Sequence, residues 1–116
     1  MNLGPPEELL DDALRAELAE LSATLCRALN DPKRLLLLHA LAAGPATVGV
    51  LARAVDATVA NVSQHLAVLR ERGLVDAERD GSNMIYTLRY PQLIGMIADL
   101  RGILRAELRR RNALVA

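Results

Sequence analysis

The chain contains no tryptophan and no phenylalanine, and only two tyrosines among its 116 residues. A core built from it is aliphatic, and the aromatic platforms on which single-stranded nucleic acid or RNA bases stack are not expected. Its one cysteine, Cys26, excludes an intramolecular disulfide and fits a reducing cytoplasm. The longest apolar run, Leu35-Leu36-Leu37-Leu38, is far shorter than the ~18 residues a membrane span needs. The opening Met1-Asn2-Leu3-Gly4-Pro5-Pro6-Glu7-Glu8 has no basic n-region and no apolar h-region, so no signal peptide is expected. There are two histidines, His39 and His65, and no glycine-rich phosphate loop. Catalysis needs a nucleophile–base pair, paired carboxylates or a metal, and no such constellation is visible, so the chain reads as a non-enzyme.

What is present is leucine and alanine, together 42 residues, in a chain that is 52% hydrophobic and 24% charged. That is a globular composition with a strong helical bias, and the length suits one domain with arms. The formal net charge is zero, but the charge is unevenly placed. Residues 1–31 hold seven acids against two bases, residues 32–90 seven bases against five acids, and residues 91–116 five arginines against Asp99 and Glu107. An acidic arm therefore precedes a basic body. Thirteen of the fourteen bases are arginine, whose fork suits phosphate and guanine edges, although a bias toward arginine codons accounts for the count equally well.

Pro5-Pro6 followed by Glu7-Glu8 reads as a helix start. Leu10, Leu14, Leu18, Leu21, Leu25 and Ala28 then fall on one helical face, and Asn30-Asp31-Pro32 ends the helix. Asp31 can cap a second helix, about Lys33 to Ala43, apolar nearly all round and closed by Gly44-Pro45. Thr47 can cap a short helix, Val48 to Val55. Asp56-Ala57-Thr58 makes a tight turn, and Thr58 can cap a longer helix, Val59 to Arg72, ended by Gly73. That order matches a helix-turn-helix. Val62, Leu66 and Leu69 form the inward stripe of its second member, and Ala60, Asn61, Ser63, Gln64 and Ala67 lie off it. Leu74 to Arg79 alternates, Asp80-Gly81-Ser82-Asn83 supplies turn chemistry, and Met84 to Leu88 is β-rich, which together predict a hairpin. Pro91 opens a last helix with Leu93, Ile97, Leu100, Leu104 and Leu108 on one face.

The expected fold is mainly α with a small β-hairpin wing: a winged helix-turn-helix of about five helices, dimeric. Residues 1–30 read as an acidic N-terminal dimerisation helix, 31–90 as the DNA-binding core and 91–116 as a C-terminal dimerisation helix. The interface is expected at Leu10, Leu14, Leu18, Leu21, Leu93, Ile97, Leu100 and Leu104, because the first and last leucine stripes exceed what so small a domain buries alone. In the major groove, Gln64 can pair with adenine N6 and N7, Ser63 can serve either partner, and Ala60 suits a thymine methyl. Thr47 and Thr58 place helix N-termini at phosphate, and Arg70, Arg79, Ser82 and Asn83 complete the set of expected DNA contacts.

Three stretches together carry a resemblance. Asn30-Asp31-Pro32-Lys33-Arg34-Leu35, then Val62 through Val75, then Arg79-Asp80-Gly81 with Ile85-Tyr86-Thr87-Leu88 resemble the ArsR/SmtB family of bacterial winged-helix repressors, in the right order from about Leu21 to Leu108. The resemblance implies a homodimer that represses its own operon until an effector releases it from operator DNA. It also implies that Val59, Ala60, Ser63 and Gln64 occupy base-reading positions.

The familiar effector sites of that family are not matched. Metal sensors often carry cysteines where this chain has Thr47-Val48-Gly49-Val50-Leu51. Others use an Asp/His/His/Glu set on the last helix, and that spacing falls here on Pro91, Leu93, Leu104 and Glu107. Thiol sensors pair two cysteines; His39 stands near the first position, and the second has no counterpart. Cys26, beside the apolar stripe, is expected buried and inert, His39 semi-buried and satisfied, and His65 a support for its helix or a phosphate contact. No cofactor is assigned. A divalent metal, nickel or zinc, bound through His39, Cys26 or the arm acids Asp11, Asp12, Glu17 and Glu20 is the minority alternative; an organic ligand, a companion protein, cysteine modification or no effector at all are the others. The rival to DNA reading is a winged-helix module that binds protein. Activation and architectural roles are not separable from repression in the sequence.

Overall fold

The computed structural model describes residues 3, 4 and 6–115. Met1, Asn2 and Pro5, on which part of the leader and first-helix readings rested, lie outside them, as does Ala116. Glu7–Leu9 forms only a 3₁₀ turn. Leu10 then leaves helical geometry (φ −108°, ψ 53°), and the first helix starts at Asp12, not at the prolines. The cause is local: the Asp11 carboxylate accepts the Leu14 amide at 2.8 Å, an N-cap that fixes the start.

Helix α1 runs through Asp12–Leu21, a π-helical turn Ser22–Cys26 and Arg27–Leu29, with helical backbone at each junction. Inside the π turn the Thr24 hydroxyl donates to the Glu20 carbonyl at 2.6 Å, a side-chain bond of the kind that bends helices. Leu25 and Ala28 pack on the core while Cys26 is exposed, which corrects the expectation of a buried thiol.

Helix α2 is Pro32–Ala42, with Asp31 as its cap. Leu37, Leu38 and Leu41 are buried, but Leu36 is 51% exposed, so α2 has an outer face after all. Helices α3 (Val48–Ala54) and α4 (Val59–Glu71) are the helix-turn-helix. Between them Asp56 takes φ 52°, a left-handed conformation that Asp tolerates, and the Ala57 amide returns to the Ala52 carbonyl at 3.0 Å. Gly73 (φ 78°) ends α4, with its amide on the Arg70 carbonyl and the Leu74 amide on the Leu69 carbonyl.

The wing is larger than the expected hairpin. Strands β2 (Val75–Asp80) and β3 (Asn83–Leu88) pair in register from Val75↔Leu88 to Asp80↔Asn83, and a short strand β1 (Ala46–Thr47) joins the far side of β3. Gly81 (φ 64°) opens the two-residue turn, with Ser82 as the second residue. That is the glycine placement of a II′ turn, whose twist matches a hairpin. Asn83, expected in the turn, is a strand residue paired with Asp80. Helix α5 is Gln92–Val115.

The core gathers α2, α3 and α4 with Leu74 and Val75, and takes Leu93 and Ile97 from α5. The Cα radius of gyration is 18.3 Å, against about 13 Å for a compact chain of similar length. The excess lies in α1 and α5, which reach past the core. No residue of Asp12–Leu21 is buried, and α5 is exposed at Met96, Leu100, Ile103, Leu104, Leu108 and Leu114. Three helices on a core, a helix-turn-helix and a small antiparallel wing make the chain a winged helix-turn-helix.

Candidate nucleic-acid interface

Helix α4 is divided lengthwise. Val62, Leu66 and Leu69 are sealed in the core, while Val59, Ala60, Ser63, Gln64, Ala67 and Arg70 are exposed on the opposite side. The Thr58 hydroxyl accepts the Asn61 amide at 3.1 Å, so α4 begins at a definite residue and its first turn points outward. No acidic residue occurs from Val59 to Arg70. Thr47 caps α3 in the same way, accepting the Val50 amide at 3.3 Å, and Val50 itself is exposed.

The wing adds a second wall. Along β2, side chains alternate, so Val75, Ala77 and Arg79 share one face and Asp76, Glu78 and Asp80 share the other. Val75 is buried, and its face is also that of Tyr86, the cross-strand partner of Ala77. Tyr86 lines an open groove of about 420 Å³ with Ser63, Leu66, Ala67, Arg70 and Glu71. Arg79 therefore stands on the α4 side of the wing, and the wing's acids point away from it. Tyr86 had no sequence signal as a site residue, because only the strand register brings it to α4. Ser82 and Asn83 are exposed at the wing tip, at the far end of the hairpin from that groove.

The two histidines face inward. The His39 Nδ1 donates to the Leu35 carbonyl at 2.8 Å, as a satisfied, half-buried residue should. His65 is half-buried behind Gln64, with its Nδ1 3.4 Å from Arg34 and 3.9 Å from Asp31. It supports the helix and does not lie on the exposed face. Asp31 accepts the amides of Lys33 and Arg34 at 2.8 and 3.2 Å. Partial burial pushes its carboxyl up, but those amides, with the nearby His65 ring and Arg34 guanidinium, outweigh it and hold Asp31 below its ordinary value.

For a metal, the described residues bring no three His, Cys, Asp or Glu side chains together. Glu107, the one ligand type at the last-helix positions, is already bonded through both oxygens to Arg110 (2.9 and 2.6 Å) and through one to Arg111 (3.2 Å). Among the expected interface residues, Leu93 and Ile97 are 7% and 5% exposed and are committed to the protomer's own core. Leu10, Leu18, Leu21, Leu100 and Leu104 remain uncovered, and Leu14 is half-buried.

Comparison with known proteins agrees with this geometry. The family model "Bacterial regulatory protein, arsR family" matches residues 31–77, from the α2 cap into the wing. The HTH-type transcriptional regulator YgaV of Escherichia coli is 37% identical over 86 residues, covering 73% of this chain and 87% of its own. The crystal structure of Mycobacterium tuberculosis Rv0081 superposes with a TM-score of 0.71 at 36% identity, over 81% of this chain and 95% of that one. The homodimeric winged helix-turn-helix DNA-binding domain Mb0332 of Mycobacterium bovis superposes with a TM-score of 0.70 at 27% identity, over 86% and 92%. The chain therefore belongs to the arsR family of bacterial regulatory proteins, DNA-binding transcriptional regulators and not enzymes.

Proposed function

We propose that the protein is a homodimeric, cytoplasmic autorepressor that reads its operator with α4 in the major groove. The carrying observation is the divided α4: a capped helix whose outer face is small, polar or basic and wholly exposed. A single α-helix fits the major groove, and its N-terminal half meets base edges. Gln64 pairs with adenine and Ser63 with either base, while Val59 and Ala60 meet thymine methyls. Thr47, Thr58 and Arg70 face phosphate from the helix-turn-helix, and Arg79, Ser82 and Asn83 do so from the wing.

The partner is a second copy of the chain. The elongated protomer leaves Leu10, Leu18, Leu21, Leu100 and Leu104 uncovered, and fully burying one leucine contributes about 1.5–3 kcal/mol. Leu14, on the same stripe of α1, joins them. A two-fold axis between such copies sets two α4 helices to read half-sites about one DNA turn apart. The effector acts other than by a nickel or zinc chelate. The donors of α5 reduce to Asp99 and Glu107, the latter held by arginines, and the only thiol, exposed Cys26, offers modification instead.

The test is fluorescence anisotropy of metal-free protein on duplex DNA from its own upstream region and on scrambled DNA, at two salt concentrations. Selective, salt-dependent binding is expected. Equal affinity for both duplexes, with and without added Ni²⁺ or Zn²⁺, contradicts the proposal.

A further inference from the structure

Arg34 sits on the first turn of α2, half-buried, and its guanidinium touches two other helices. Its Nε donates to the Ala28 carbonyl, left open at the end of α1, and its Nη2 donates at 3.2 Å to the Arg27 carbonyl, which also accepts the Asn30 amide. Its Nη1 lies 3.4 Å from Nδ1 of His65, in the middle of α4. One residue earlier, the Lys33 ammonium donates to the Val55 carbonyl at 3.3 Å, at the turn that leads into α4. Two adjacent bases on α2 thus hold the recognition helix at its entry and at its centre.

We infer that Arg34 is the positioning residue that ties the reading face of α4 to the carboxyl end of α1. Resting on the DNA-reading account above, it assigns Arg34 a role inside the protein and no contact with DNA. A guanidinium has five donors and no acceptor, so a bond to His65 requires Nδ1 to carry the lone pair and Nε2 the proton. Asp31 asks for the opposite: its Oδ1, 3.9 Å from the same Nδ1, would take a proton there. His65 links Arg34 to the residues beside it, Gln64 and Ser63. Since α1 ends at the same guanidinium, movement of α1 reaches α4 through one side chain.

The test uses the full chain. With only two histidines, imidazole ¹H–¹⁵N correlation spectra recorded in alkaline buffer, at about pH 9, are readily assigned. The expected result is opposite tautomers: His39 protonated on Nδ1, His65 on Nε2. Arg34→Lys, which keeps the charge and loses the fork, and His65→Leu should each lower the ratio of operator to scrambled-DNA affinity by about tenfold, and the double variant should lose no more than either single one. The salt slope stays unchanged, and His65→Gln, which keeps an acceptor, retains the selectivity. Should Arg34→Lys melt early, the His65 pair carries the comparison alone. His65 protonated on Nδ1, additive losses, or a flattened salt slope in Arg34→Lys overturns the inference. A wild-type protein that discriminates no duplex sinks the DNA-reading account and Arg34's part in it, while the imidazole spectrum still decides whether the Arg34–His65 bond exists.

Discussion

The Asp31 carboxylate and the Lys33 amide are 2.8 Å apart, and that bond starts the central helix of the protein. With the Arg34 amide it satisfies two donors that the helix itself leaves open. It also places Lys33 and Arg34 on the first turn of α2, from which they reach the helix-turn-helix.

A charge dependence follows from that cap. Because the folded carboxyl titrates below its ordinary value, its contribution to stability is complete above the unfolded carboxylate pKa and is lost as pH falls through the folded one. Asp31→Asn keeps a capping oxygen and removes only the charge. Urea unfolding across pH should show the wild type more stable at neutrality, with the gap closing in the acid range. A gap independent of pH would mean that the charge contributes nothing. Asp31→Ala, which removes the cap as well, should cost about 1 kcal/mol at neutral pH.

The second prediction concerns the dimer. Leu100 and Leu104 are 57% and 56% exposed in the protomer, so charge placed there does not disturb its core. Sedimentation velocity of the Leu100→Glu, Leu104→Glu double variant should give a folded monomer where the wild type gives a dimer. A variant that sediments as wild type places the interface elsewhere. Deleting residues 1–20 should weaken the dimer in the same assay.

Much of this arrangement was legible because it is local. Asp31, Thr47 and Thr58 act as caps within three residues of the amides they accept, and Gly73 and Gly81 take positive φ where a helix ends and a strand turns. The buried stripe of α4 followed from spacing alone. What was missed depends on packing between distant segments. Arg34 and His65 are 31 residues apart. Tyr86 reaches the α4 groove only through strand register, and β1 exists because two residues before α3 run beside β3. Cys26 is exposed although its neighbour Leu25 packs on the core, and Leu93 and Ile97 look interchangeable with Leu100 and Leu104 until the core claims the first two.

The wing gives a third prediction. Arg79→Ala should weaken binding to operator and scrambled duplexes alike and reduce the salt slope by about one unit, as loss of one phosphate contact does. An unchanged slope would take Arg79 off the DNA.

Base reading by the outer face of α4 is the central claim, and Gln64 is its most exposed test. The measurement is the anisotropy-derived affinity of Gln64→Ala for operator and for scrambled duplex. The account predicts a loss of about 1–3 kcal/mol on the operator with non-specific binding preserved. Equal loss on both duplexes, or no loss on the operator, would contradict it.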